Sequence, residues 1–295
     1  PLRGTTVNLV YLVKPAACEL TTTLAYFLGP ASAFVSGQAI TLRANDTAAP
    51  LASLEGKTAI VTGAARGIGA SIAASLHHQG VRVIGLDISE NQALLEQTLA
   101  PLHGTTLLLD VAAADAADRL QDLLERSGHP LDIIIHNAGI TRDKTLRKMS
   151  PSQWTQVLDV NLNAIMKLNR RLLDQNLIAP HGRIVCLASI AGVAGNFGQT
   201  NYATAKAALS GYVRFLARKL PSGMTANAVA PGFIETAMTQ AMPLATREIA
   251  RRINSLSQGG LPADIAEAVT FLCHPGSTGI TGQTLRVCGQ NPLGR

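Results

Sequence analysis

The chain has 295 residues, of which 47% are hydrophobic, 15% charged and 4% aromatic, with a formal net charge of +6. At roughly 100–200 residues per domain, this allows one large domain or one domain plus a fragment. So low a charged fraction excludes a disordered chain and a solvated coiled coil, and suits a sheet buried on both faces. The net charge hides a split. Residues 1–140 hold 8 basic and 12 acidic side chains, whereas residues 141–295 hold 17 and 7. This asymmetry separates two functional halves and points the second toward acidic partners.

The chain opens at Pro1 inside an apolar pattern and without a Met, which reads as a cut within a longer product. Leu20–Leu42 aligns without gaps on Ile265–Val287, so that Pro30, Ser32, Gly37 and Gln38 coincide with Pro275, Ser277, Gly282 and Gln283. Upstream, Thr6–Val10 echoes Thr225–Val229. Residues 1–44 therefore read as the closing strand–helix–strand of a second doubly wound unit, too short to bury a core alone. The counterpart of the Pro231-Gly232 loop is missing there, so this copy is expected to have lost cofactor binding. Residues 45–53 read as a linker and residues 54–295 as a complete domain.

Within that domain the candidate strands are Thr58–Thr62, Val81–Leu86, Thr105–Leu109, Asp132–His136, Arg183–Ala188, Thr225–Ala230 and Thr284–Val287. Helical patterns fill the gaps, the longest over 151–179 and 200–220. The alternation predicts an α/β fold, a Rossmann-like doubly wound parallel sheet of seven strands with helices on both faces. Ligand sites in such sheets lie at the carboxyl ends of the strands.

The first of these strands runs into Thr62-Gly63-Ala64-Ala65-Arg66-Gly67-Ile68-Gly69, which opens a helix. Gly63 permits the tight turn, Gly67 lets the backbone approach a pyrophosphate, and Gly69 lets helix and strand pack closely. Free N–H groups at the helix start, those of Arg66, Gly67 and Ile68 among them, then receive the phosphates. Asp87 ends the second strand, where a carboxylate accepts hydrogen bonds from ribose hydroxyls and repels a 2′-phosphate. NAD(H) is thereby favoured over NADP(H), although Arg66 could hold that phosphate. Asp110, with Val111 beside it, ends the third strand within reach of the adenine.

Tyr202 and Lys206 stand four apart on a helical pattern and share a face. A free tyrosine titrates near pH 10, and a neighbouring ammonium favours its phenolate. Ser189 at the end of the fifth strand and Asn161 on the long preceding helix complete a polar constellation. The motifs Thr62-Gly-x-x-x-Gly-x-Gly69, Asn137-Ala138-Gly139, Asn161, Ser189, Tyr202-x-x-x-Lys206 and Pro231-Gly232 occur in this order, so residues from about 51 to 295 resemble a short-chain dehydrogenase/reductase. The resemblance implies roles by position. Ser189 polarises the substrate carbonyl, Tyr202 donates the proton, and Lys206 lowers the tyrosine pKa and binds the nicotinamide ribose. Asn161 holds a relaying water, and Asn137, Ala138 and Gly139 line the adenosine side. Ile234 and Thr236, after Pro231-Gly232, grip the carboxamide and phosphates. His136 stands where the family more often has Asn, and no catalytic role is assigned to it.

Within the family the chain is most similar to 3-oxoacyl-acyl carrier protein reductases, in Ala138–Lys144, Gly195–Tyr202 and Gly232–Thr236. The high-molecular-weight subgroup, with a degenerate flavodoxin-like domain ahead of the reductase, also resembles it in the N-terminal repeat, Pro243–Glu248 and Val287–Gln290. The implied reaction is reduction of a 3-oxoacyl thioester on acyl carrier protein or coenzyme A. Arg142, Lys144, Arg147 and Lys148, and a second group of Arg247, Arg251 and Arg252, suit such an anionic carrier. A dehydrogenase of another hydrophobic alcohol and a non-catalytic NAD-binding protein are the competing readings. Nucleic-acid binding is disfavoured by a single Trp and the lack of a stacking motif. The resemblance also implies a homo-oligomer, paired through the long helices.

The four cysteines show neither metal-ligand nor redox spacing, and Cys186 and Cys273 lie in apolar runs as expected of buried thiols. A reducing cytoplasm is the expected compartment. No histidine pattern predicts a metal, and no apolar run reaches the ~18 residues of a membrane span.

Overall fold

The structure, a computed structural model, describes residues 5–44 and 53–293. The expected linker falls on 45–53 and so lies almost wholly outside the described residues. The chain begins with β1 (Leu9–Val13), α1 (Ala17–Leu28) and β2 (Ala39–Arg43), a parallel strand–helix–strand unit. β3 (Thr58–Thr62), α2 (Gly67–His78), β4 (Arg82–Asp87), α3 (Gln92–Leu99), β5 (Thr105–Leu108), α4 (Ala116–Ser127) and β6 (Leu131–His136) form the first half of the larger domain. The second half holds α5 (Pro151–Leu158), α6 (Ala164–Asp174), β7 (Ile178–Leu187), α7 (Ala191–Ala194), α8 (Thr200–Ala217) and β8 (Thr225–Pro231). It closes with α9 (Ala237–Gln240), α10 (Leu244–Arg252), α11 (Pro262–Cys273) and β9 (Thr284–Val287).

Seven strands pair in the order β5-β4-β3-β6-β7-β8-β9, all parallel. The expected α/β, Rossmann-like sheet is therefore present. β3 is buried at every position, because helices cover both faces. On one face, Ile72 of α2 and Val269 of α11 pack with Tyr26 of α1 into a core. On the other, Leu120 of α4, Leu168 of α6 and Leu209 of α8 form a second. Strand order reverses between β3 and β6, so their carboxyl ends open the crevice in which such sheets bind ligands.

Two segments differ from their sequence patterns. The helix expected over 151–179 stops at Asp174, and β7 starts at Ile178 because Ile178 pairs with Leu131 ahead of a register shift. Between α5 and α6 the chain makes a π turn, Asp159–Asn163, the kind of local underwinding that recurs at functional sites. At the other end, the strand echoed at Thr6–Val10 forms three residues later, at Leu9–Val13.

The two copies of the repeat pack on each other reciprocally. Tyr26 stacks on its own counterpart Phe271, centroids 4.1 Å apart and planes 2° from parallel. Gln38 Oε1 accepts from Arg286 N, and its counterpart Gln283 accepts from Thr41 N at 2.7 Å. Glu19 and Asp264, again counterparts, both cap their helix starts by accepting from Ala16 N and Leu261 N. Among the described residues all four cysteines are free, with Cys186, Cys273 and Cys288 buried. No helix there is long and apolar enough to cross a membrane, and no His/Cys/Asp/Glu cluster could hold a metal.

Candidate active site

The glycine-rich turn joins β3 to α2 at the crevice. Gly63 has φ +67° and Gly67 has φ +59°, backbone that side chains adopt only under strain. A Cβ on Gly69 would collide with the Gly63 carbonyl and with Asn137 Nδ2, so close packing demands the third glycine. The α2 start has no side-chain cap and no acid in its first turn, which leaves its N–H groups free for an anion. Space above Gly67 is open as far as Thr236 Cγ2, 3.9 Å from a Cβ built there. A dinucleotide pyrophosphate fits this cradle.

Asp87 at the end of β4 accepts from Ala65 N (3.0 Å), Ile88 N (2.9 Å) and Asn91 Nδ2 (2.7 Å). The carboxylate thus braces the turn and retains about one of its roughly four acceptor positions for a ribose hydroxyl. No cation pairs with it among the described residues. Arg66 is exposed at the helix start, and Asp110 is exposed with Oδ1 accepting from Ala112 N. Val111 is half-buried next to it.

Asn137 is spent on the scaffold: Nδ2 donates to the carbonyls of Thr62 (2.9 Å) and Gly63 (3.0 Å). Thr62 Oγ1 in turn accepts from the backbone N–H of Asn137 and of Ala138. Together they lock the β3 and β6 ends side by side. Asn161 sits in the π turn, fully buried, and binds Ile140 through both its oxygen and its nitrogen, with Val157 O as a third partner. Its side-chain amide therefore positions the loop after Gly139.

Ser189 lies just past β7, its Oγ accepting from Ala191 N. Tyr202 and Lys206 lie on α8, with Lys206 Nζ 5.5 Å from the Tyr202 ring centroid. Lys206 is buried, donates to Leu187 O at 2.6 Å, and stands close to Gly139. Burial brings the Lys206 pKa down to about 8. Burial also pushes the Tyr202 phenol up, the Ser189 hydroxyl pulls it back, and Asp143 raises it further.

Pro231 ends β8 and Gly232 follows it, where a Cβ would strike Cys288. Ile234 is buried and Thr236 caps α9. Sequence reasoning missed Asn201, fully buried beside Tyr202, whose Nδ2 ties α8 to Arg142 O and Gln153 O. Only its adjacency to the tyrosine could have marked it. The second basic group needs correction. Arg251 forks onto Glu235 and also binds Glu248, and Arg252 binds Glu248, so neither is a free cation for a carrier.

The family model described as Enoyl-(Acyl carrier protein) reductase matches residues 63–289. The 3-oxoacyl-[acyl-carrier-protein] reductase FabG of Pseudomonas aeruginosa is 43% identical over 242 residues, 80% of this chain and 98% of that protein. Its Escherichia coli namesake is 40% identical over 239 residues, again 80% and 98%, and the Haemophilus influenzae protein 37%. With the seven-stranded sheet and the open phosphate cradle, these likenesses settle the family: the chain belongs to the short-chain dehydrogenase/reductases, nicotinamide-dependent oxidoreductases.

Proposed function

We propose that the chain reduces a 3-oxoacyl thioester to the 3-hydroxyacyl thioester, with NADH as reductant and Tyr202 as proton donor. The observation that carries this reading is the convergence of Ser189, Tyr202 and Lys206 beside Gly139 at the crevice, in a chain 43% identical to a 3-oxoacyl-[acyl-carrier-protein] reductase. The bound nicotinamide supplies the hydride. Ser189 Oγ holds and polarises the ketone, and Tyr202 Oη passes its proton to the oxygen as it gains charge. The Lys206 ammonium, still mostly protonated at neutrality with its pKa near 8, favours the transient phenolate.

NADH preference rests on Asp87, whose carboxylate has no paired cation among the described residues and would repel a 2′-phosphate. The thioester reading draws on the loops after β6 and β7. They meet through Lys144 N and Gly198 O, exposing Leu146 and Phe197 near Lys144, Arg147 and Lys148. An acyl chain suits the first pair, and an acidic carrier protein or the phosphates of coenzyme A suit the three cations. The same reading takes residues 1–44 as the end of a degenerate doubly wound unit, supported by the reciprocal Gln38 and Gln283 bonds. It also takes the protein as a cytoplasmic homo-oligomer pairing through α5, α6 and α8, where Met166 and Phe215 are exposed.

The test is NADH oxidation with acetoacetyl-CoA and with a carrier-bound 3-oxoacyl chain. Turnover is expected with at least one, and Tyr202→Phe should lower kcat by about 10²–10⁴ while leaving NADH binding intact. A protein that binds NADH yet turns over neither thioester overturns the proposal.

A further inference from the structure

The end of the sheet remote from the crevice holds a cation without a counter-charge. Arg183 lies in β7 opposite Thr225 and is only 4% exposed. Its Nη1 donates to the carbonyls of His181 (2.7 Å), Gly182 (3.3 Å) and Gly223 (2.8 Å). Its Nε is buried with no hydrogen-bond partner. Among the described residues no carboxylate forms an ion pair with Arg183. Three carbonyls satisfy one nitrogen of the fork but leave the guanidinium charge uncompensated, and a guanidinium stays charged at any ordinary pH.

A cavity of about 130 Å³ opens at this place, lined by Arg183, Ser53, Lys57, Asp132 and His181, with Cys273 on its apolar wall. Asp132 is the carboxylate of that lining, and it is already committed. Its Oδ1 binds Lys57 Nζ at 2.9 Å and its Oδ2 accepts from Thr58 N at 2.9 Å. Lys57 and Asp132 cancel, so the Arg183 charge stands alone. Its field reaches the neighbouring His274, which burial first and Arg183 second hold below the ordinary histidine value.

We propose that this cavity binds a small oxyanion, inorganic phosphate or a short-chain carboxylate, beside the Arg183 guanidinium. The guanidinium lines the cavity, and its uncompensated charge is what an oxyanion there would meet. Lys57, whose side chain is 42% exposed, and His181 add donors from the rim. A nucleotide or coenzyme A is excluded by size, since sites for such ligands run to roughly 300–1,000 Å³. Ser189 lies six residues further along, about 20 Å at the rise of a strand, so the site is separate from the catalytic crevice.

The experiment is thermal unfolding of the whole protein against increasing phosphate, and separately against propionate, each beside chloride at matched ionic strength. A saturable rise in Tm is expected with at least one of the two anions, and which one acts identifies the oxyanion. Arg183→Met should abolish the rise. Lys57→Met, which leaves the Asp132 carboxylate uncompensated in the cavity, should raise the half-saturating concentration at least tenfold. It also decides the matter if Arg183→Met fails to fold. An anion held instead at the α2 start would stabilise wild type and Lys57→Met alike. That result, or the lack of a saturable rise with either anion, overturns the proposal.

Discussion

Acidification should unlock His136. This residue closes β6, is 1% exposed, and has its Nε2 2.8 Å from Asn169 Oδ1. Burial pushes its pKa down from 6.5 to about 4, against the smaller opposing pull of the Asn169 bond. The native state therefore holds the imidazole neutral, while the unfolded chain takes up a proton below pH 6.5. Across that interval the unfolded state binds more protons, so stability falls as pH falls, by up to about 1.4 kcal/mol for each pH unit. Going from pH 6.5 to about 4 withdraws roughly 3 kcal/mol, a large share of the 5–15 kcal/mol that holds an ordinary domain folded. His136→Asn has nothing to titrate at this position. Urea unfolding of both proteins at several pH values between 4 and 7.5 isolates the histidine, because the carboxylates they share cancel in the difference. The stability gap between wild type and variant should shift by about 3 kcal/mol against wild type on acidification. A gap that stays constant across the range would refute the reasoning.

Three further outcomes follow from the geometry. Gly69→Ala should cost about 1–3 kcal/mol and abolish dinucleotide binding by calorimetry, because its Cβ meets the Gly63 carbonyl and Asn137 Nδ2. Asp87→Ser removes the carboxylate that would repel a 2′-phosphate, so the ratio of kcat/KM for NADPH to that for NADH should rise about tenfold or more; an unchanged ratio would detach Asp87 from coenzyme choice. Tyr26→Ala deletes the ring stacked on Phe271 and should lower stability by about 3–5 kcal/mol in denaturant titrations, with kcat unaffected because Tyr202 and Lys206 are carried by α8 on the other face of the sheet.

The proposed catalytic constellation was readable because its members sit at fixed distances along the chain from signals that local chemistry enforces. Gly63, Gly67 and Gly69 are required by backbone angles and contact distances that other residues violate. Tyr202 and Lys206 share a face by helical spacing alone. What each polar group does with its hydrogen bonds was not readable. Asn137 and Asn161 looked like groups awaiting a ligand or a water, yet their amides are consumed by the backbone of Thr62, Gly63, Ile140 and Val157. Arg251 looked like a surface cation for a carrier, yet Glu235, sixteen residues earlier, reaches it across the loop.

By itself the sequence determined the class of fold, the seven strands and the position of the crevice. Strands buried on both faces must be continuous apolar runs, and the turns that bind phosphate must be glycine-rich. Only the tertiary structure decided where the long helix ends, because Ile178 is drawn into β7 by Leu131, a residue 47 positions away. It alone set Tyr26 against Phe271 and left Arg183 charged beside a cavity. The physical reason is common to all three. Periodicity records whether a residue prefers to be buried, whereas its partner is fixed by contacts between distant segments that exist only once the sheet has assembled.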